Sequence, residues 1–128
     1  MLKQISVMKR HPSLTLEEFI HAYEERHAKF GEHLFTKAQR YVRRYVHPER
    51  NPLTGEIAEL DFDVIMEVWW QSREDYAAAM QALAGSGLLA AVRDSGQRLF
   101  ASQNNPAFTV VEYDSLMHAA DASVLNRS

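Results

Sequence analysis

Between Thr15 and Leu34 the chain reads TLEEFIHAYEERHAKFGEHL, and at helical pitch Leu16, Phe19, Ile20, Tyr23, His27, Phe30 and Leu34 fall on one face. Glu17, Glu18, Glu24, Glu25, Lys29 and Glu32 fall largely off that stripe. Thr15 and Glu18 hold the T-x-x-E spacing of a capping box, in which each side chain satisfies the other residue's backbone N–H. The pattern predicts an amphipathic helix that starts at Leu16 and loosens near Gly31. His27 sits in the middle of the apolar stripe. A histidine there either has a hydrogen-bond partner inside the fold or looks into a cavity.

Around this helix the pattern changes to period two. Leu2 to Lys9 reads as a strand with Leu2, Gln4, Ser6 and Met8 on one face and Lys3, Ile5, Val7 and Lys9 on the other. His11-Pro12-Ser13 ends it, because proline has no ladder donor. Gln39 to His47 (QRYVRRYVH) is rich in β-branched and aromatic residues and predicts a second strand. Its faces are Tyr41, Arg43, Tyr45, His47 and Arg40, Val42, Arg44, Val46. Pro48 to Leu60 has no clear period and is long for a loop in a compact domain. Asp61 to Trp70 (DFDVIMEVWW) is the strongest strand, with Phe62, Val64, Met66, Val68 and Trp70 on one side and Asp63, Ile65, Glu67 and Trp69 on the other. Ser72 to Asp75 has cap character before an alanine-rich helix, Tyr76 to Leu83, and a shorter helical piece spans Leu88 to Phe100. Phe108 to Tyr113 (FTVVEY) predicts a fourth strand. The domain is expected over residues 1–115, with a C-terminal tail over 116–128.

The element order is β-α-β-β-α-β, an α+β ferredoxin-like arrangement with an antiparallel sheet covered by helices on one face. The other face needs a cover, since either Trp69 or Trp70 lies on it whichever side the helices take. A second subunit packing sheet to sheet supplies one, so a homodimer closing a barrel is expected.

Composition narrows the function classes. At 128 residues, 46% hydrophobic and 24% charged, the chain is ordinary for one globular domain with a real core. A formal charge of -3 gives no electrostatic case for nucleic acid or an anionic membrane. No cysteine means no disulfide, thiolate metal site or thiol nucleophile. The alternating N-terminus is not a signal peptide, and no segment reaches the roughly 20 apolar residues of a membrane span, so a cytoplasmic protein is expected. The histidines show no metal-ligand spacing, and neither a phosphate loop nor a G-x-S-x-G motif is present. Neither a metal nor another cofactor is therefore expected.

Three strings together resemble the EthD family. VMKRHPSLTLEEFIHAYEERHAKFG looks like its opening strand, K-R-x-P turn, T-x-E-E-F and E-x-x-H-A motif; DFDVIMEVWWQSREDYAAAM is similar to its second signature; FTVVEY fits its closing strand. The resemblance implies a dimeric α+β barrel. It also implies relatives associated with ether degradation and aromatic polyketides, acting as dehydratases, decarboxylases, cyclases or cofactor-free oxygenases. The histidine of E-x-x-H-A maps onto His27.

His27 is the candidate general base or acid, because an imidazole is suited to moving protons near neutral pH. Tyr45 or Tyr23 is the candidate oxyanion donor, and Tyr41, His47, Asp63, Trp70 and Phe30 are candidates for holding substrate. The bland reading of each is packing, or for Asp63 and Glu67 pairing with Arg43 or Arg44 from the neighbouring strand. The leading expectation is a cofactor-free lyase-type enzyme (dehydratase, decarboxylase or cyclase) acting on an aromatic or polyketide-like carbonyl compound. The alternatives are a cofactor-independent monooxygenase on an anthrone- or quinol-like substrate, and a non-catalytic ligand-binding accessory of a degradative pathway. The remaining histidines, His11, His21, His33 and His118, are expected at the surface.

Overall fold

A four-stranded antiparallel sheet carries the molecule, in spatial order β2 (Arg40–Tyr45), β3 (Val64–Trp70), β1 (Leu2–Met8) and β4 (Ala107–Thr109). The computed structural model describes residues 1–117 and Leu125; His118 and most of the expected tail lie outside the described residues. Between β1 and β2 run α1 (Leu16–Ala22), a π-helical turn (Tyr23–His27) and α2 (Ala28–Leu34). Between β3 and β4 run α3 (Arg73–Gly85) and α4 (Leu89–Leu99). This is the ferredoxin-like α+β order, with the second helix broken in two after Gly85.

The capping box forms as expected: Glu18 N–H donates to Thr15 Oγ1 at 3.1 Å, and Thr15 N–H donates to the Glu18 carboxylate at 2.9 Å. Ser72 caps α3, accepting from Asp75 N–H at 3.2 Å, so that helix starts three residues before the expected Tyr76. The first helix does not loosen at Gly31; it is interrupted earlier, at Tyr23–His27, and continues to Leu34. β4 is shorter than FTVVEY. Beyond Thr109 the chain leaves the ladder, tethered by Lys3 Nζ to Glu112 at 2.9 Å. The 48–60 segment is exposed up to Leu60 and folds on itself through a bridge between Arg50 and Ile57, with Gly55 at φ 75° supplying the left-handed turn.

Register decides which face is core. Met8 pairs with Val64, Ser6 with Met66, Gln4 with Val68 and Leu2 with Trp70, and this face meets the helices. The core gathers Met8, Phe19, Tyr23, Ala28, Val64, Leu99 and Phe100. Trp70 is fully buried, its indole N–H donating to Gln4 Oε1 at 3.1 Å and its ring meeting Phe35 and Tyr76 edge-on. The opposite face carries Ile5, Val7, Val42, Ile65, Trp69 and Phe108 without a covering helix. There Lys3 Nζ and Arg40 Cζ lie 3.8 and 4.8 Å from the Trp69 ring, and Glu67 is held by the Trp69 indole and Arg44. Among the described residues no helix is long and apolar enough to cross a membrane.

Candidate active site

The π turn sets the site. Ala28 N–H reaches back five residues to the Tyr23 carbonyl, so one extra residue is accommodated between two successive core positions. In an unbroken α-helix the core position after Tyr23 would be His27, four residues on. Here Ala28 takes the fully buried place and His27 is turned to the flank, facing α4. π turns of this kind recur at functional positions.

His27 Nδ1 lies 2.9 Å from Ser95 Oγ, a buried hydroxyl on α4. The imidazole meets the rings of Tyr23 and Phe100 edge-on at 5.2 Å each, and Phe30 at 6.2 Å. Burial in this aromatic cage pulls its pKa down to about 4, because the charged form loses its hydration. At pH 7 the ring is therefore neutral, with one nitrogen committed to Ser95 and Nε2 left over.

A cavity of about 100 Å³ opens beside it, lined by His27, Tyr23, Phe30 and Tyr41 with apolar side chains from β1, β3, α3 and α4. Tyr41 closes the cavity on the β2 side by lying over Gly31 of α2. Burial raises the Tyr23 phenol well above its ordinary pKa, and the neighbouring Tyr41 adds to the shift. Burial likewise raises Tyr41. Both phenols stay protonated at neutral pH and are hydrogen-bond donors.

Next to the cavity, Arg43 grips Glu24 in a fork, Nη2 to Oε1 at 2.6 Å and Nε to Oε2 at 3.0 Å. Tyr45 donates its hydroxyl to Glu24 Oε2 at 2.5 Å. The Arg43 hydrogen bonds, against a smaller desolvation effect, hold the Glu24 carboxyl below its usual range. Burial first, and then the bond to Glu24, push the Tyr45 phenol far above its usual value. The guanidinium also lies over the Tyr41 ring, 4.6 Å from its centroid, so this ion pair fixes the cavity wall.

Over residues 11–96 the sequence matches the EthD domain family. The chain belongs to the EthD family. Among solved structures it is similar to an uncharacterized NIPSNAP domain protein from Burkholderia xenovorans, with 14% identity, a TM-score of 0.54 and coverage of 94% of this chain and 100% of that one. At that identity the likeness is one of fold. No curated protein matches the chain significantly.

Within this EthD-family chain, four of the residues singled out from sequence come together at the cavity: His27, Tyr23, Tyr41 and Phe30. Tyr45 stands beside it with its hydroxyl given to Glu24. Three others are placed elsewhere. His47 lies past the end of β2 and is exposed. Asp63 accepts from Arg10 N–H at 2.9 Å and pairs with Lys9 and Arg10. Trp70 is core. The expected pairing of Asp63 and Glu67 with Arg43 or Arg44 holds for Glu67, which Arg44 takes; Asp63 goes to Lys9 and Arg10, and Arg43 turns to the helix side and takes Glu24. Ser95, Glu24 and Gly31 were not singled out. Glu24 had a signal, since it stands three residues before His27 in E-x-x-H. Ser95 had none. Among the described residues no group of three or more His, Asp or Glu side chains is arranged to hold a metal ion.

Proposed function

We propose that this EthD-family protein is a cofactor-free lyase-type enzyme that acts by proton transfer on an aromatic or polyketide-like carbonyl compound. The observation that carries the reading is a neutral imidazole and two protonated phenols facing one apolar cavity. His27 Nε2 takes a proton from the carbon next to a carbonyl, and the Tyr41 hydroxyl, with Tyr23 behind it, donates to the oxygen as the enolate forms. Dehydration and aldol-type cyclisation start from that enolate, and the imidazolium returns the proton to the leaving hydroxide or to the aldol alkoxide; decarboxylation reaches the same enolate by loss of carbon dioxide, with the phenols stabilising it and the enolate carbon then taking a proton from water. Tyr45 supports the wall from outside rather than meeting substrate, because its hydroxyl is committed to Glu24.

At about 100 Å³ the cavity is smaller than the roughly 150 Å³ that takes up benzene, so it receives the reacting end of a larger molecule. The protein works as a homodimer in this reading, its partner covering the apolar sheet face that bears Trp69 and Phe108.

The test is incubation with β-keto acids and phenolic polyketide fragments while following product and dissolved oxygen. Turnover without oxygen uptake is the expected result. Oxygen consumed in step with turnover would replace this reading with a monooxygenase, and saturable binding without turnover with a ligand-binding accessory.

A further inference from the structure

The strand pattern over residues 108–113 is only partly used within the protomer. β4 stops at Thr109, and the 110–117 segment joins no ladder among the described residues. Val111, Tyr113, Leu116 and Met117 are 74–95% exposed there, an apolar run with nothing of its own protomer over it. In an extended conformation Val111 and Tyr113 fall on one side and Glu112 and Asp114 on the other. The segment contains no basic residue. At the far side of the sheet β2 is an edge strand, hydrogen-bonded to β3 alone. Its outer row of N–H and C=O groups is free to pair. One face of β2 carries Arg40, Val42 and Arg44, the other Tyr41, Arg43 and Tyr45, and it has no acidic residue. Arg43 and Arg44 hold Glu24 and Glu67. Arg40 is exposed, and its guanidinium meets the Trp69 ring and, among the described residues, no carboxylate.

We propose that the 110–117 segment of one protomer is an arm that adds as a strand to the free β2 edge of a second copy of this chain. This rests on the homodimer reading above and states which edges of the two sheets meet. Two such sheets packed face to face close either with like edges together or with the β4 end of each against β2 of the other. Like edges would set Arg40 against Arg40 and one acidic run against the other, which is repulsive. Unlike edges put Glu112 and Asp114 on the side of Arg40 and Arg44, and Val111 and Tyr113 on the side of Tyr41 and Tyr45. Charge and apolar surface then match on both faces of the added strand. Main-chain hydrogen bonds to the β2 edge complete the contact, as in other cases of strand addition. The reach is sufficient, since eight extended residues span about 26 Å and stacked sheets lie roughly 10 Å apart. The bond from Lys3 to Glu112 fixes the root of the arm at its own sheet.

The chain has no cysteine, so an introduced thiol is unique. Full-length Asp114→Cys and Arg40→Cys proteins are treated with a thiol cross-linker of about 10 Å span, each alone and as an equimolar mixture left to exchange subunits. That span covers a directly opposed pair and its diagonal neighbours. The expected result is cross-linked dimer from the mixture and little from either protein alone. A second measurement uses charge. Asp114→Lys is expected to weaken the dimer about tenfold in sedimentation, through two symmetric contacts turned repulsive, and Arg40→Glu in the same chain to restore most of it. A dimer that yields no mixed cross-link, or in which Arg40→Cys links to itself, would overturn the arm while leaving the homodimer standing. A protein that stays monomeric at every concentration would overturn both.

Discussion

Gly31 lies under the ring of Tyr41 with no room for a methyl group: a Cβ there would stand 2.5 Å from Tyr41 Cε2 and 2.8 Å from Cζ. A glycine inside a helix costs roughly 0.5–1 kcal/mol relative to alanine. Here that loss is offset by bringing α2 close enough to β2 for a phenol to roof the cavity. Gly31→Ala should therefore destabilise the fold by about 1–3 kcal/mol, against its helix propensity, through overpacking. In a Tyr41→Leu background the same change should cost little. Thermal melts of the four proteins in a double-mutant cycle measure the coupling.

His27 ties stability to pH. Its folded pKa of about 4 lies below its ordinary 6.5, so between those values the unfolded chain binds more protons than the folded one. Stability is full above about pH 6.5 and is lost as pH falls toward 4. The loss is on the order of 3 kcal/mol. Denaturant melts from pH 7 to pH 4 should show it, and His27→Phe, which has no proton to gain, should flatten the slope over that window.

The two tyrosines of β2 should separate by readout. Tyr45→Phe removes the donor to Glu24 and should lower stability by about 1 kcal/mol with turnover close to wild type. Tyr41→Phe should leave the melting temperature nearly unchanged and lower kcat by one order of magnitude or more, as for a lost oxyanion donor. The reverse pattern would reassign the donor to Tyr45.

Replacing the base should abolish chemistry. His27→Ala is expected to cut kcat by about a hundredfold or more. It also leaves the Ser95 hydroxyl without its partner, at a cost of about 1–3 kcal/mol, softened if Ser95 turns back to a carbonyl of its own helix. Far-ultraviolet circular dichroism and a substrate assay on the same sample separate the two effects.

The open sheet face predicts association. A dimer should bury at least roughly 1,200 Å² in total, the lower range for a specific stable interface. Sedimentation at micromolar concentration should show two chains, and Ile5→Asp or Phe108→Asp should shift the distribution to monomer without unfolding it.

Much of the architecture was legible in the chain because it is written locally. The Thr15–Glu18 cap, the alternation of β2 and β3 and the cap at Ser72 each depend on residues a few positions apart, which backbone periodicity places in fixed relation. His27 stood out for the same reason, as a polar residue inside an apolar stripe. Periodicity also showed that Trp69 and Trp70 take opposite faces of the sheet. Only the packed structure chose Trp70 for the core, because that choice depends on which face the helices cover. It likewise sent Arg43 to Glu24 on the helix side and left Glu67 of β3 to Arg44. Ser95 stands 68 residues from His27 in sequence. The two meet because the π turn moves the imidazole off the core line toward α4. A pair joined over that separation leaves no mark on the local pattern of either segment; it exists only once the helices are docked on the sheet.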